Sequence, residues 1–470
     1  MYQVLRYHIL GRNKLNFNEK ILTKEYKNDL SFSIDECLSE AAVEELARST
    51  GFKKRSGKIP ASAFLNTLMA SENEQAHTSL PDLAAGLRQG FNIDVSKEAM
   101  HQKFTPEAVS FLENVMTEIL NKQLNINADK DLKAHFPCIK VKDSTKFSLP
   151  DTYNDVYKGY GNFCKKNGLM SLQYEFDLVS GNWLSLKITP GLRNDQRDSK
   201  ETLKDITPGD LYIRDLGYIT PIYLSAIVKD KAFFLNRLPA MASVFTQSSK
   251  PLDWKRIDRQ IRRLKGGILD LQVEVYEKDK IPCRLLIEPV DSIEYKKRLQ
   301  KAEATAKSKG IGISELQKIK LRYNSFITNV SEDILPVSIV RKTYYLRWQI
   351  ELVFKIWKSY FRINMVKKVK RERLECQLLA RLLWILINWR LFIILNNHVR
   401  SRNPQEGVSM LVFFKRSLKF ASTLRLVLLK KFSIKKWVKE ILIPLIEDCL
   451  CEAPRKKKTY YDSISINNKA

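Results

Sequence analysis

The chain has 470 residues, 44% hydrophobic and 28% charged, the balance of a folded protein long enough for two to four domains and not of a disordered one. Its 80 Lys and Arg outnumber its 52 Asp and Glu, leaving a net charge of +28 and a pI near 9.6. Such a surplus points to a polyanionic partner, nucleic acid before anionic membrane, because each cation that meets a phosphate releases condensed counterions. Seven scattered cysteines without C-x-x-C argue against a disulfide framework, and five histidines show no zinc-ligand spacing. A reducing compartment, the cytoplasm, is expected.

The opening "MYQVLRYHILGRNKLNF" lacks the uninterrupted apolar stretch of a signal peptide. From Ser33 to about Asn125 the pattern is helical, and "SIDECLSEAAVEELARSTG" ends on Gly51, a C-cap residue. Within Thr78 to Phe104, Ser79 and Asp82 form a capping box, Gly90 stops a first short helix and Ser96 caps a second. This outlines a helix-turn-helix offering Arg88, Lys97, His101, Gln102 and Lys103 to a duplex; an ordinary helical hairpin is the alternative.

After Pro137 the texture changes. Cys138 to Pro150 reads as a strand running into a loop, Ser171 to Gly191 as a hairpin around Ser180-Gly181-Asn182, and Asp210 to Thr220 as a strand breaking at Gly217. A helix, "PIYLSAIVKDK", and a strand from Ala232 to Leu238 follow, which together predict a mixed α/β sheet. From Met241 to Ser331 the chain takes a detour with a hairpin at Leu269 to Val290 between two basic segments, too long for a loop and read as an inserted subdomain. Long helices run from Lys342 to His398. Among them "CQLLARLLWILINWRLFIIL" (Cys376 to Leu395) nears membrane-spanning length, but Arg381, Asn388 and Arg390 interrupt it, so a buried core helix is expected and no membrane partner. The basic helical remainder ends in "PRKKKTYYDSISINNKA", which reads as a mobile tail.

Two features carry chemistry. Read as one helix, "TYYLRWQIELVFKIWKS" (Thr343 to Ser359) places Arg347, Glu351, Lys355 and Lys358 within a stripe of roughly 80° on an otherwise apolar surface. Buried charge must be met, so these residues either pair among themselves, Glu351 with Arg347 or Lys355, or face an anionic ligand and a metal. Asp143 and Asp215 end the strands "CIKVKD" and "LYIRD". On neighbouring strands they can converge, and with Glu351 they would form an all-oxygen cluster suited to Mg²⁺ or Mn²⁺, two ions serving phosphodiester chemistry.

At these residues the sequence resembles the DDE transposases of bacterial insertion sequences, specifically the insertion-sequence-four family. Tyr344, Arg347, Glu351 and Lys358 match its Y-x2-R-x3-E-x6-K signature at every spacing, while "KDSTKFSLP", "RDLGYIT" and "SFITNV" are similar to its other blocks. The resemblance spans about Cys138 to Lys370. It implies an RNase H-like catalytic core with a mainly β insertion subdomain; together with the helical N-terminal DNA-binding region and the helical C-terminal region read above, the expected division is residues 1–130, core 131–240, insertion 241–331, core 332–400 and C-terminal region 401–470. It further implies Asp143, Asp215 and Glu351 as catalytic metal ligands and Tyr344, Arg347 and Lys358 as phosphate contacts, with Lys355 added from the helical wheel. Trp254 would stack on a flipped base or fill the insertion's core. The implied activity is cut-and-paste transposition: cleavage at terminal inverted repeats and strand transfer into target DNA by a homodimer, its contacts placed at Phe413 to Glu447, working in the bacterial cytoplasm on the nucleoid. An inactive DNA-binding derivative and a nuclease without strand transfer are the alternatives.

Overall fold

The computed structural model describes residue 24 and residues 39–74, 78–121, 135–160, 167–239, 242–264, 267–403 and 406–450. The opening segment through Phe17 and the expected basic tail lie outside them. The chain divides into two units, one joining Met1–Ile119 to Glu375–Ala453, the other built on Leu120–Leu374.

In the first unit, helices begin where the sequence supplies caps. α1 (Glu40–Ser49) starts on Ser39, whose hydroxyl accepts from the Ala42 N–H at 3.2 Å, and Gly51 follows it at φ 75°. After α2 (Ala61–Glu74), the Ser79–Asp82 capping box opens α3 (Leu80–Phe91) and Ser96 opens α4 (Lys97–Gln102). One correction concerns Gly90, which lies inside α3. The stop is Asn92 at φ 56°, a left-handed position that Asn tolerates through local hydrogen bonding by its short side chain. α5 (Pro106–Asn121) completes the N-terminal group.

The second unit is one nine-stranded sheet. β1 (Ile139–Leu149), β2 (Gly168–Asp177) and β3 (Trp183–Pro190) form an antiparallel meander. The chain passes through α6 (Asp195–Glu201) into β4 (Leu211–Arg214), parallel to β1, then through α7 (Pro221–Lys229) into β5 (Phe233–Arg237), parallel to β4. The detour supplies β6 (Val244–Thr246), α8 (Trp254–Arg263), β7 (Leu269–Val275), β8 (Ile281–Pro289), α9 (Ser292–Ser308) and α10 (Glu315–Leu321), and β9 (Tyr323–Thr328) returns to the core. The strand order is β3-β2-β1-β4-β5-β9-β8-β7-β6.

The detour, expected as a mainly β subdomain of its own, therefore prolongs the core sheet through the β8–β9 pairing and carries three helices beside its strands. Burial explains why. Leu285, Leu286 and Ile287 are all buried, so both faces of β8 are covered. Trp254, Ile257, Val273 and Ile281 share one core with Tyr212, Tyr223 and Phe234.

Thr343 to Ser359 is two helices, α11 (Val337–Tyr345) and α12 (Trp348–Ser359), and not the single one expected. The backbone between them stays right-handed, with Arg347 at φ −51° and ψ −33°, but the bonds tighten to i→i+3: the N–H groups of Leu346, Arg347 and Ile350 reach the carbonyls of Thr343, Tyr344 and Arg347, each at 3.1 Å.

α13 (Arg371–Arg402) contains the long apolar stretch, and its most apolar window is wholly buried inside the protein, as a core helix requires. Three of the polar residues within it find backbone partners. Gln377 Nε2 donates to the Thr78 carbonyl at 3.3 Å, Asn388 Nδ2 to Trp384 at 2.9 Å and Arg390 Nη2 to Ile119 at 2.8 Å. α14 (Met410–Ser417), α15 (Ala421–Leu428), α16 (Ile434–Trp437) and α17 (Ile443–Cys449) follow, and Lys431 Nζ donates to the Gly90 carbonyl at 2.6 Å. The helices at the two ends of the chain thus share one unit.

Candidate active site

Parallel register sets two aspartates side by side. β1 and β4 pair from Ile139 opposite Leu211 to Lys142 opposite Arg214, and the next residues are Asp143 and Asp215. Side chains alternate along a strand, so Lys142 and Arg214 take one face and both aspartates the other. On the first face Lys142 Nζ meets Asp198 of α6 at 2.5 Å and Arg214 meets Glu175 at 3.1 Å. β1 does not end at Asp143 as expected but runs through it to Leu149, because β2 stays paired with it as far as Gly168. What ends at Asp143 is the pairing with β4, whose chain turns at Asp215 into a short 3₁₀ turn.

α12 packs on the aspartate face. Trp357 lies 4.9 Å from Tyr174 of β2 and 5.2 Å from Trp183 of β3, measured between ring centroids. This anchoring brings Glu351 and Arg347 over the strand ends.

The three carboxylates meet at one guanidinium. Arg347 Nη1 donates to Asp143 Oδ2 at 3.0 Å, Nη2 donates to Glu351 Oε1 at 2.9 Å, and Nε stands 3.8 Å from Asp215 Oδ1. Of the two alternatives for the helix stripe, the internal pairing of Glu351 with Arg347 is present, and the same guanidinium also meets two further acids. The Arg347 side chain is only 10% exposed, against 46% for Asp215 and 37% for Glu351. Burial pushes the Asp143 carboxyl up to about 7; the Ser144 N–H and Arg347 pull it down, while Asp215 and Asp195 push it further up. Burial opposes the charge on Arg347, yet Asp215, Tyr344, Asp143 and Glu351 together hold its pKa above the ordinary value.

Tyr344 is buried against Phe326, 5.3 Å between centroids, and burial pushes its hydroxyl up to about 12. Lys358 Nζ donates to the Lys146 carbonyl at 2.9 Å, and burial lowers its pKa. Lys355 is exposed.

Asp143, Asp215 and Glu351 offer only oxygen, the donor set of hard divalent cations, and the guanidinium in their midst supplies the positive charge that three such acids require. Among the described residues no three Asp, Glu, His or Cys side chains form a ready metal-holding group. An ion bound here would draw the carboxylates in from their positions around Arg347.

Asp195, in the first turn of α6, is the residue that sequence reasoning missed. Its Oδ1 accepts from Ser144 Oγ at 3.0 Å and Gln173 Nε2 at 3.2 Å, while Gln173 Oε1 accepts from the Tyr218 hydroxyl at 2.6 Å. A Cβ on Gly217 would come within 2.9 Å of Asp195 Oδ2. Asp195 thus bonds the residue that follows Asp143 directly and reaches Tyr218, in the turn after Asp215, through Gln173. No local signal marks it, because its partners come from β1, β2 and the turn after β4.

The remaining expected contacts lie elsewhere. Trp254 is 6% exposed within the shared core, with Lys320 Nζ 5.1 Å from its ring centroid, so its indole fills the core and is not presented to a base; its flanking residues are charged but its own face is covered. In the first unit Arg88 is bound by Asp94, Nε to Oδ1 at 2.9 Å, and Lys97, His101 and Gln102 are exposed. Lys103 is half-buried over the Phe52 ring, where burial and Lys53 lower its pKa.

Residues 134–387 match the family described as Transposase DDE domain. The chain is 30% identical over 362 residues to the transposase for insertion sequence element IS231F of Bacillus thuringiensis subsp. israelensis, covering 73% of this chain and 76% of that one. It is 26% identical to the transposase for insertion sequence element IS1151 of Clostridium perfringens, over 96% and 97% of the two chains. A solved piggyBac transposase synaptic complex with hairpin DNA aligns over 92% of this chain and 84% of that one at TM-score 0.44 and 12% identity. The chain belongs to the DDE transposase family of insertion sequences, and it is a DNA transposase.

Proposed function

We propose that this transposase cuts the ends of its insertion sequence and joins them to target DNA at Asp143, Asp215 and Glu351, on an RNase H-like core of the insertion-sequence-four type. The observation that carries the reading is the junction at Arg347, where acids from two strands and a helix, distant in sequence, share one buried cation. Uncompensated, such a group would be strongly destabilising, so the fold has assembled it against a cost.

Asp143 and Asp215 are fixed by parallel strands and Glu351 by the aromatic packing of α12; these three would hold the metal. Bound Mg²⁺ or Mn²⁺, two ions per site, would supply Lewis acidity at the attacking and leaving oxygens. Arg347 offers a bidentate fork to phosphate oxygens and Lys358 a point charge, with Tyr344 beside them. Cleavage leaves a 3′-hydroxyl at the element end, which then attacks a target phosphodiester. The acting species is a homodimer that pairs two terminal inverted repeats through the C-terminal helices, working on DNA in the cytoplasm.

The test compares wild type with Glu351→Gln on a labelled duplex carrying the element's end, with Mg²⁺ or Mn²⁺. Wild type is expected to cut, and the variant to bind but cut slower by orders of magnitude. If both bind and neither cuts, the protein is a non-catalytic DNA binder; if wild type cuts but never joins a pre-cleaved end to target, it is a nuclease.

A further inference from the structure

We propose that the cleft beside α6 binds the phosphodiester backbone of one DNA strand as it passes the carboxylate cluster. This rests on the reading above for the position of the reacting phosphate. The cleft holds about 670 Å³ and lies between residues 155–158, beyond β1, and the turn from β3 into α6. Four of its lining side chains, Lys158, Arg193, Arg197 and Lys200, are cationic against one acid, Asp155.

The arginines are set in place from behind. Arg193 Nη2 donates to Glu201 Oε2 at 2.6 Å and Asp198 Oδ1 at 3.1 Å, and Arg197 Nε donates to Glu201 Oε1 at 2.9 Å. Each guanidinium has five N–H donors, so these bonds orient the fork and leave donors for a ligand. Lys158 and Lys200 are exposed. Leu192, 46% exposed on the wall, gives a sugar or base an apolar surface.

α6 lies on the Lys142 face of the sheet and the carboxylates on the other, so the cleft reaches them around the edge of β1 beyond Lys142, where pairing with β4 ends. Asp195, which accepts from Ser144 beside Asp143, sits between the lining residues Asn194 and Gln196. From the other direction, Lys358 Nζ donates to the Lys146 carbonyl, and Lys146 Nζ donates to the Gly191 carbonyl at 3.0 Å while lying 5.3 Å from the Tyr160 ring centroid. Lys358 thus meets β1 from the carboxylate face, while the Lys146 ammonium stands on the cleft face beside Gly191, so cations flank this edge of β1 on both sides, an arrangement that suits a chain of phosphates better than a single small anion.

The strand belongs either to the element end or to the target, and the test separates them without chemistry. Binding is measured in chelator over a range of salt for wild type and the Lys158→Ala, Lys200→Ala double variant, first with an end duplex alone, then with a target duplex offered to protein saturated with end DNA. The slope of log K against log salt should fall by about 2 for one of the duplexes. A fall with the end duplex assigns the cleft to the element strand, and a fall confined to the target duplex assigns it to target. Lys158→Arg with Lys200→Arg should keep the wild-type slope. Unchanged slopes with both duplexes overturn the proposal. Because binding is read apart from cleavage, a wild type that binds through the cleft yet never cuts would refute the catalytic reading and leave this one standing.

Discussion

Arg347 Nη1 and Asp143 Oδ2 lie 3.0 Å apart across 204 residues of sequence. The same guanidinium bonds Glu351 one helical turn away and approaches Asp215. A single buried cation thus keeps three acids together, and the most buried of them, Asp143, titrates near neutrality. Its charge state should govern both stability and ion binding.

The contribution of Asp143 to stability without metal should fall as pH rises toward neutrality. Asp143 has a folded-state pKa of about 7, above the ordinary value of about 3.9. Between these limits the folded protein retains a proton that the unfolded chain has lost, so the penalty is absent below about pH 4 and complete above about pH 7, on the order of 4 kcal/mol. Urea unfolding in chelator at pH 4.5 and 7.5 should show wild type losing ground relative to Asp143→Asn. Parallel behaviour of the two proteins would remove Asp143 as the titrating group.

Divalent ions should reverse that loss. Carboxylates bind metal deprotonated, so Mg²⁺ or Mn²⁺ should raise the melting temperature of wild type far more at pH 8 than at pH 5. Asp143→Asn and Glu351→Gln should each lose most of the shift. A shift of equal size in both variants would place the ion elsewhere.

Asp195 should matter to rate more than to binding. Removing its charge in Asp195→Asn weakens its hold on Ser144 and Gln173, and loss of such supporting contacts around metal ligands costs about 10–100-fold. Gly217→Ala, whose new methyl would crowd Asp195 Oδ2, should act in the same direction. The assay is end cleavage beside end binding; a variant that cuts at the wild-type rate would make this brace dispensable.

Trp254 should behave as a core residue. Trp254→Ala removes a buried indole and should destabilise the protein by about 3–5 kcal/mol, with Trp254→Phe costing less. Both should still bind end DNA at temperatures where they are folded. An unchanged unfolding midpoint combined with lost cleavage would restore the base-stacking role.

Much of this protein was legible locally. The Ser79–Asp82 and Ser96 caps, the two hairpins and the strands β4 and β5 depend on neighbouring residues and on the period-2 geometry of a strand, and each appears where the sequence places it, while β1 starts as expected and runs on to Leu149. The acids and the Arg347–Glu351 pair were also readable, as residue types at helical or strand-end spacing. Local reading failed where two signals competed: Gly90 looked like a stop, but the left-handed position went to Asn92, and one amphipathic pattern hid the tight turn between α11 and α12.

The remaining relationships are created by register and packing between distant elements. Residue order set which side chains were available; the parallel pairing of β1 with β4 made Asp143 and Asp215 neighbours. Aromatic packing of Trp357 on Tyr174 and Trp183 decided that Arg347 would reach both, and α6 brought in Asp195 with no motif to announce it. Shared burial of β8 and α8 with the core made the detour part of one sheet. Such contacts join residues tens to hundreds of positions apart, and their free energy depends on apolar surface covered jointly by several elements, a quantity that no local window of sequence contains.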